Sequence, residues 1–261
     1  MSFIEFDGNR IFYQIKGQGE PILFGHSFLW DSQMWHEVSE ILKSKYLCVL
    51  VDLPGHGKSE SIEDLSLEKL AELHKAVMLH LSFSSFSLIG LSIGAMWGSL
   101  LCQDKEVNVE KFIIMNSSLS PEPNETKELY LGMLNLIEAK GLIPDSIIDQ
   151  IAPGFFCEKY ISEHIDSFKE SLKSCSAEQL KSIIACGRAF VKRGDLLTSL
   201  KKFKNNVYVF AGEFDRYRSI QESNLISTAF EKKTKIIPAG HISAKGIPQE
   251  LCLELQKILS G

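Results

Sequence analysis

From residue 46 to residue 115 the chain alternates short apolar runs with stretches in which apolar residues return every three or four positions. The runs 46–51, 86–89 and 111–115 predict buried strands, and the periodic stretches 34–42, 67–81 and 93–102 predict helices. Ahead of them, β-rich runs at 3–6, 11–15 and 21–24 predict antiparallel strands, with Asp7-Gly8-Asn9 as the hairpin turn between the first two. Runs at 207–211 and 235–237, with a helix between them, predict two more strands. Such alternation belongs to an α/β fold, a mostly parallel sheet wrapped by helices.

The interval 118–195 breaks the rhythm. It carries helical patterns over 125–140, 145–151, 160–174 and 177–191 and no convincing strand. Pro121 and Pro123 mark its entrance and Gly194-Asp195 its exit, while Gly141 and Pro153-Gly154 separate its pieces. The expected organisation is one core domain built from 1–117 and 196–261, with 118–195 inserted as a helical cap.

Composition narrows the class. Apolar residues make up 44% of the 261 positions and charged residues 23%, the profile of a soluble globular chain. A formal net charge of −5 without a basic tract argues against nucleic acid or an anionic membrane as partner. The first residues lack the basic start and apolar stretch of a signal peptide, and nothing approaches the roughly 20 apolar residues of a membrane span, so a cytoplasmic location is the expectation. Six scattered cysteines with no C-x-x-C pair point to reduced thiols rather than a disulfide frame or a zinc site.

The chemistry starts at Gly90-Leu91-Ser92-Ile93-Gly94, directly after one predicted strand and before a predicted helix. A serine that merely caps a helix needs no glycine on either side. Glycines at both flanks let a strand bend abruptly into a helix with the serine exposed and strained at the bend, the G-x-S-x-G nucleophile elbow. A serine hydroxyl is a weak nucleophile at neutral pH and needs a histidine base, itself oriented by a carboxylate. Past the later strands stand Gly212-Glu213-Phe214-Asp215 and Pro238-Ala239-Gly240-His241, which completes the order Ser92, Asp215, His241. Glu213 competes with Asp215 for the acid position, and an aspartate in a turn is otherwise an Asx turn or a helix cap. His26 and His56 read as structural hydrogen-bonding residues. Gly55-His56-Gly57-Lys58-Ser59 ends like a phosphate-binding loop, but Asp52 stands where that motif needs its first glycine, so nucleotide binding is rejected.

With GLSIG as elbow, AGEFD as acid turn and PAGHIS as histidine loop, the chain resembles the α/β-hydrolase fold family from end to end. VDLPGHGKSE and FGHSFLWDSQMW extend the likeness, the second standing where the family carries a His-Gly motif and its oxyanion residue. Within the family the chain is most similar to small carboxylesterases and enol-lactonase-like enzymes with a helical cap. The resemblance implies an α/β-hydrolase fold and cleavage of a small-molecule carboxylic ester or lactone through an acyl-enzyme. Ser92 would be nucleophile, His241 base and Asp215 its orienting acid, with the amides of Phe28 and Ile93 as oxyanion hole. It implies no cofactor and no metal, and a monomer or homodimer. Two positions depart from the pattern: Ser27 replaces the glycine after His26, and Ala95 replaces a second glycine after the elbow. Trp30, Met96 and Asn116 are the expected substrate-binding residues. Phe28, Trp35, Trp97, Phe155, Phe156 and Phe190 are further pocket candidates that the core would equally claim. Carbon–carbon or thioester hydrolysis on the same triad, and ligand sensing without turnover, are the alternatives.

Overall fold

The computed structural model describes residues 2–203 and 206–261, the side chains of 159–163 excepted. Its strands are β1 (Ser2–Phe6), β2 (Asn9–Lys16), β3 (Glu20–Gly25), β4 (Tyr46–Val51), β5 (Ser85–Leu91), β6 (Asn108–Met115), β7 (Asn206–Gly212) and β8 (Lys235–Ile237). Among the described residues they form one eight-stranded sheet in the order β1-β2-β4-β3-β5-β6-β7-β8. Asp7 and Gly8, both with positive φ (50° and 74°), make the tight turn that pairs β1 with β2.

One expectation needs correction. The third run is not part of the antiparallel opening: β3 lies inside the sheet, parallel to both β4 and β5. Among the described residues antiparallel pairing is confined to β1 with β2 and β2 with β4. Orientation depends on which strands become neighbours, and β3 lies between two strands that follow it in the chain.

The central strands are apolar throughout because both faces are covered. Phe24, Leu50, Ile89, Ile113 and Met115 pack on one side of the sheet with α1 (His36–Leu42), α10 (Ser243–Gly246) and α11 (Pro248–Leu259). Leu23, Val49, Val51, Leu88, Phe112 and Ile114 pack on the other with α2 (Leu67–His80), α3 (Ile93–Leu101) and α9 (Ile220–Ala229). Successive residues of one strand thus feed opposite cores, the period of two that a pleated strand imposes. A 3₁₀ turn, Ser32–Trp35, precedes α1, so the stretch 34–42 is helical in two pieces.

Between β6 and β7 run α4 (Asn124–Lys140), α5 (Asp145–Ile151), α6 (Glu158–Lys173), α7 (Ala177–Val191) and α8 (Leu196–Leu200). Gly141 ends α4 at φ 64°, a left-handed cap, and Ser176 with Gln179 forms a capping box at the start of α7. No helix among the described residues is long and apolar enough to cross a membrane.

Candidate active site

β5 ends at Leu91 and α3 begins at Ile93, so a single residue makes the bend. Ser92 sits there at φ 57°, ψ −117°, a sparsely populated conformation whose cost is on the order of 1–3 kcal/mol. Its backbone is held from three sides. The Ser92 amide donates to the Met115 carbonyl at 2.9 Å, and the Ser92 carbonyl accepts from the Ala95 amide at 3.0 Å and from the Ser117 hydroxyl at 2.8 Å. The Ser92 side chain makes no capping hydrogen bond to α3, so it does not serve the helix that follows it. The flanking glycines answer to crowding. A Cβ on Gly90 would lie 2.6 Å from the Ala95 nitrogen, and one on Gly94 would lie 2.4 Å from the Gly25 carbonyl oxygen.

His241 and Asp215 meet at the ends of β8 and β7. Nδ1 of His241 lies 2.9 Å from Oδ2 of Asp215, and the Asp215 carboxylate is fully buried. Oδ1 of Asp215 accepts from the amides of Tyr217 at 2.8 Å and Arg218 at 3.0 Å. With its carboxylate held this way, Asp215 fixes the proton of neutral His241 on Nδ1 and leaves Nε2 as an acceptor. Glu213 lies on the exposed side of the same turn, so it does not compete. Nε2 has the Ser27 hydroxyl 3.5 Å away, and among the described residues no hydrogen bond joins it to the Ser92 hydroxyl. Both serines and His241 line one cavity.

Asn116 braces this assembly from behind. It adopts φ 47°, tolerable for asparagine, where β6 ends. Its side-chain nitrogen donates to the carbonyls of Gly240 (3.1 Å) and His241 (2.6 Å), and its side-chain oxygen accepts from the Gly212 amide at 2.8 Å. It ties the histidine loop to the acid strand and does not reach the cavity. The expectation of a substrate contact there is corrected accordingly.

The loop after β3 forms a turn in which the Trp30 amide donates to the Ser27 carbonyl at 3.2 Å, with Leu29 at φ 66°. Two buried histidines hold it. Nδ1 of His26 donates to the Ser27 carbonyl at 2.8 Å while Nε2 accepts from the Leu53 amide at 2.9 Å. Nδ1 of His56 donates to the Pro54 carbonyl at 3.0 Å while Nε2 accepts from the Leu29 amide at 3.3 Å. Burial drives both toward the neutral ring, His26 to about 4 and His56 to about 3. The amides of Phe28 and Ile93 have no hydrogen-bond acceptor among the described residues.

The cavity beside Ser92 has a volume of about 100 Å³. Its floor carries Ser27, Phe28, Ser92, Tyr217, Arg218 and His241, and its roof comes from the helices between β6 and β7, among them Tyr130, Leu134, Ile137, Ile183 and Phe190. A wider groove of about 680 Å³ runs along α7 and touches none of Ser92, Asp215 and His241, so size does not mark the site. Trp30 lies outside the cavity. Its ring stacks on Phe168 (centroids 4.6 Å apart) behind Phe155, which takes the wall position expected of it. Met96 is 1% exposed in the core under α3, with its neighbour Trp97 stacked on His74. The two corrections have different causes: Met96 lies past the elbow and turns inward with the helix, whereas Trp30, in the loop after β3, packs on Phe155, Phe156 and Phe168 behind the cavity wall. Phe28, Phe155 and Phe190 line the cavity, and Trp35, Trp97 and Phe156 do not. Tyr217 and Arg218 were not legible as cavity residues, because no local pattern says that the turn after β7 will form part of a cavity wall.

Residues 20–139 match the sequence model of the α/β hydrolase fold. Among curated proteins the chain is 22% identical to 3-oxoadipate enol-lactonase 1 of Acinetobacter baylyi over 90% of this chain and 88% of that one. Among solved structures it superposes on an esterase from Thermogutta terrifontis with a TM-score of 0.89 at 21% identity, covering 100% of this chain and 98% of the other. It superposes on the enol-lactonase from Burkholderia xenovorans LB400 with a TM-score of 0.87 at 18% identity over both chains in full. Structure and comparisons together show that the chain has the α/β-hydrolase fold. Its likeness is to esterases and enol-lactonases of that fold.

Proposed function

We propose that the chain is a serine hydrolase of small carboxylic esters or lactones. The observation that carries this reading is the His241 imidazole, held by buried Asp215 with Nε2 left as an acceptor in the cavity into which the elbow presents Ser92. Ser92 attacks the carbonyl carbon while His241 takes its proton at Nε2. The imidazolium so formed is stabilised by Asp215, and Nε2 then gives the proton to the leaving alkoxide. Water, deprotonated by the same nitrogen, releases the acyl group from Ser92. The amides of Phe28 and Ile93 serve as the oxyanion hole, and their lack of other acceptors supports that role. The gap between Ser92 and Nε2 suits a site whose hydrogen bond tightens when substrate arrives. The helices between β6 and β7 act as a cap: they supply apolar walls and decide what fits. The similar proteins, an esterase and two enol-lactonases, agree with this chemistry.

The test is turnover of a panel of aryl, alkyl and lactone substrates by the native protein and by Ser92→Ala. Native protein should hydrolyse p-nitrophenyl butyrate, and S92A should lose on the order of 10⁴-fold or more in kcat with an unchanged melting transition. Full retention of turnover in S92A would remove Ser92 as nucleophile. Saturable binding of the panel with no turnover would favour a sensing role.

A further inference from the structure

Pro121 and Pro123 flank Glu122 where the chain leaves the sheet for the helices above it. Its side chain is 1% exposed and lies between two guanidiniums. Oε1 accepts from Nη1 of Arg193 at 2.9 Å and from Nη2 of Arg218, and Oε2 accepts from Nη1 of Arg218 at 3.2 Å. Nη1 of Arg218 also donates to Oε1 of Glu222 at 3.3 Å. Two cations thus face two anions, and the local charge sums to zero. Burial works to raise the Glu122 carboxyl, but the guanidiniums outweigh it and hold the group below its ordinary range.

Arg218 is also on the cavity wall. Apart from His241, it is the only side chain there that can carry positive charge among the described residues, in walls otherwise of aliphatic, aromatic and hydroxyl groups. A free guanidinium in that position would be an anchor for a carboxylate on the substrate, since its two Nη groups match a carboxylate's two oxygens. Here three of its five N–H donors are already given to Glu122 and Glu222. A carboxylate entering the cavity would meet a cluster with no net positive charge, and it would compete for Arg218 with the buried Glu122 that already holds it.

We propose that Glu122 determines specificity: by occupying Arg218 it makes the cavity select uncharged acyl groups over acyl groups that carry a carboxylate. This rests on the hydrolase reading above. Glu122 itself does not line the cavity, so it acts through Arg218.

The experiment compares methyl pentanoate with monomethyl glutarate by proton release at pH 7.5. Both have five-carbon acyl chains, and they differ in a terminal carboxylate. Native protein should favour the pentanoate on the order of 100-fold in kcat/KM, the scale expected when an anion must be buried without a free partner. Glu122→Gln keeps the shape and removes the charge, so it should raise glutarate turnover and narrow the ratio at least tenfold. A merely structural role would lower both rates together and leave the ratio alone. Glu222→Gln, at a partly exposed partner of Arg218, should shift the ratio the same way by about twofold to fivefold, and it serves if Glu122→Gln does not fold. Equal turnover of the two esters by native protein, or an unchanged ratio in the folded variants, overturns the proposal alone. Turnover of neither ester, nor of p-nitrophenyl butyrate, overturns the hydrolase reading and this inference with it.

Discussion

At the scale of single residues, the site divides into groups that a motif can announce and groups that only the fold assembles. Ser92, Asp215 and His241 were legible because each follows a strand with its own local signature, glycines around the serine and turns before the other two. Asn116 was legible as a strand-end residue, but its task was not. Its three side-chain hydrogen bonds run to residues 96 to 125 positions away, and no spacing reports such partners. Asn116→Ala should therefore cost about 3 kcal/mol of stability, through orphaned buried groups at Gly212, Gly240 and His241. Urea unfolding measures it. Activity should fall further than the melting temperature suggests, because the freed carbonyls belong to the histidine loop. A variant as stable as the parent would show that the brace is dispensable.

The elements were legible where burial wrote an unbroken pattern. Strands β4, β5 and β6 fall close to their expected positions, since a strand covered on both faces needs apolar residues throughout. The orientation of β3 was not legible, because it depends on neighbours that the chain reaches later. At the junction of β3, β5 and α3 the backbones come so close that glycine is required. A methyl group on Gly94 would stand 2.4 Å from the Gly25 carbonyl oxygen, with backbone on both sides and no flexible side chain to yield. Gly94→Ala should push α3 away from β3, lower stability by about 3 kcal/mol and displace the Ile93 amide. Thermal melting and ester turnover should fall together, and retention of both would contradict the proposed close fit.

For the whole molecule, the internal histidines couple stability to pH. Burial lowers His26 to about 4 and His56 and His74 to about 3, against 6.5 for an unperturbed ring. The unfolded chain therefore takes up protons first as pH falls. The stability these groups contribute is complete above pH 6.5 and is withdrawn as pH drops from there toward 3, at up to ~1.4 kcal/mol per pH unit for each ring. Urea midpoints taken from pH 8 down to 4 should hold level and then decline below about 6.5, the ordinary value of an unperturbed ring. Replacing His74, which stacks on Trp97 at 3.7 Å, by leucine should flatten that decline. Level midpoints across the range in the native protein would contradict the neutral, buried state of these rings. The same fold that hides these histidines leaves His241 at a cavity with Ser92, and the proposed chemistry depends on that meeting. The most direct test is a serine-directed fluorophosphonate probe followed by peptide mass spectrometry. One label per chain on Ser92, with turnover lost in proportion, is the expected result. Labelling elsewhere with Ser92 unmodified, or full turnover after Ser92 is blocked, would contradict it.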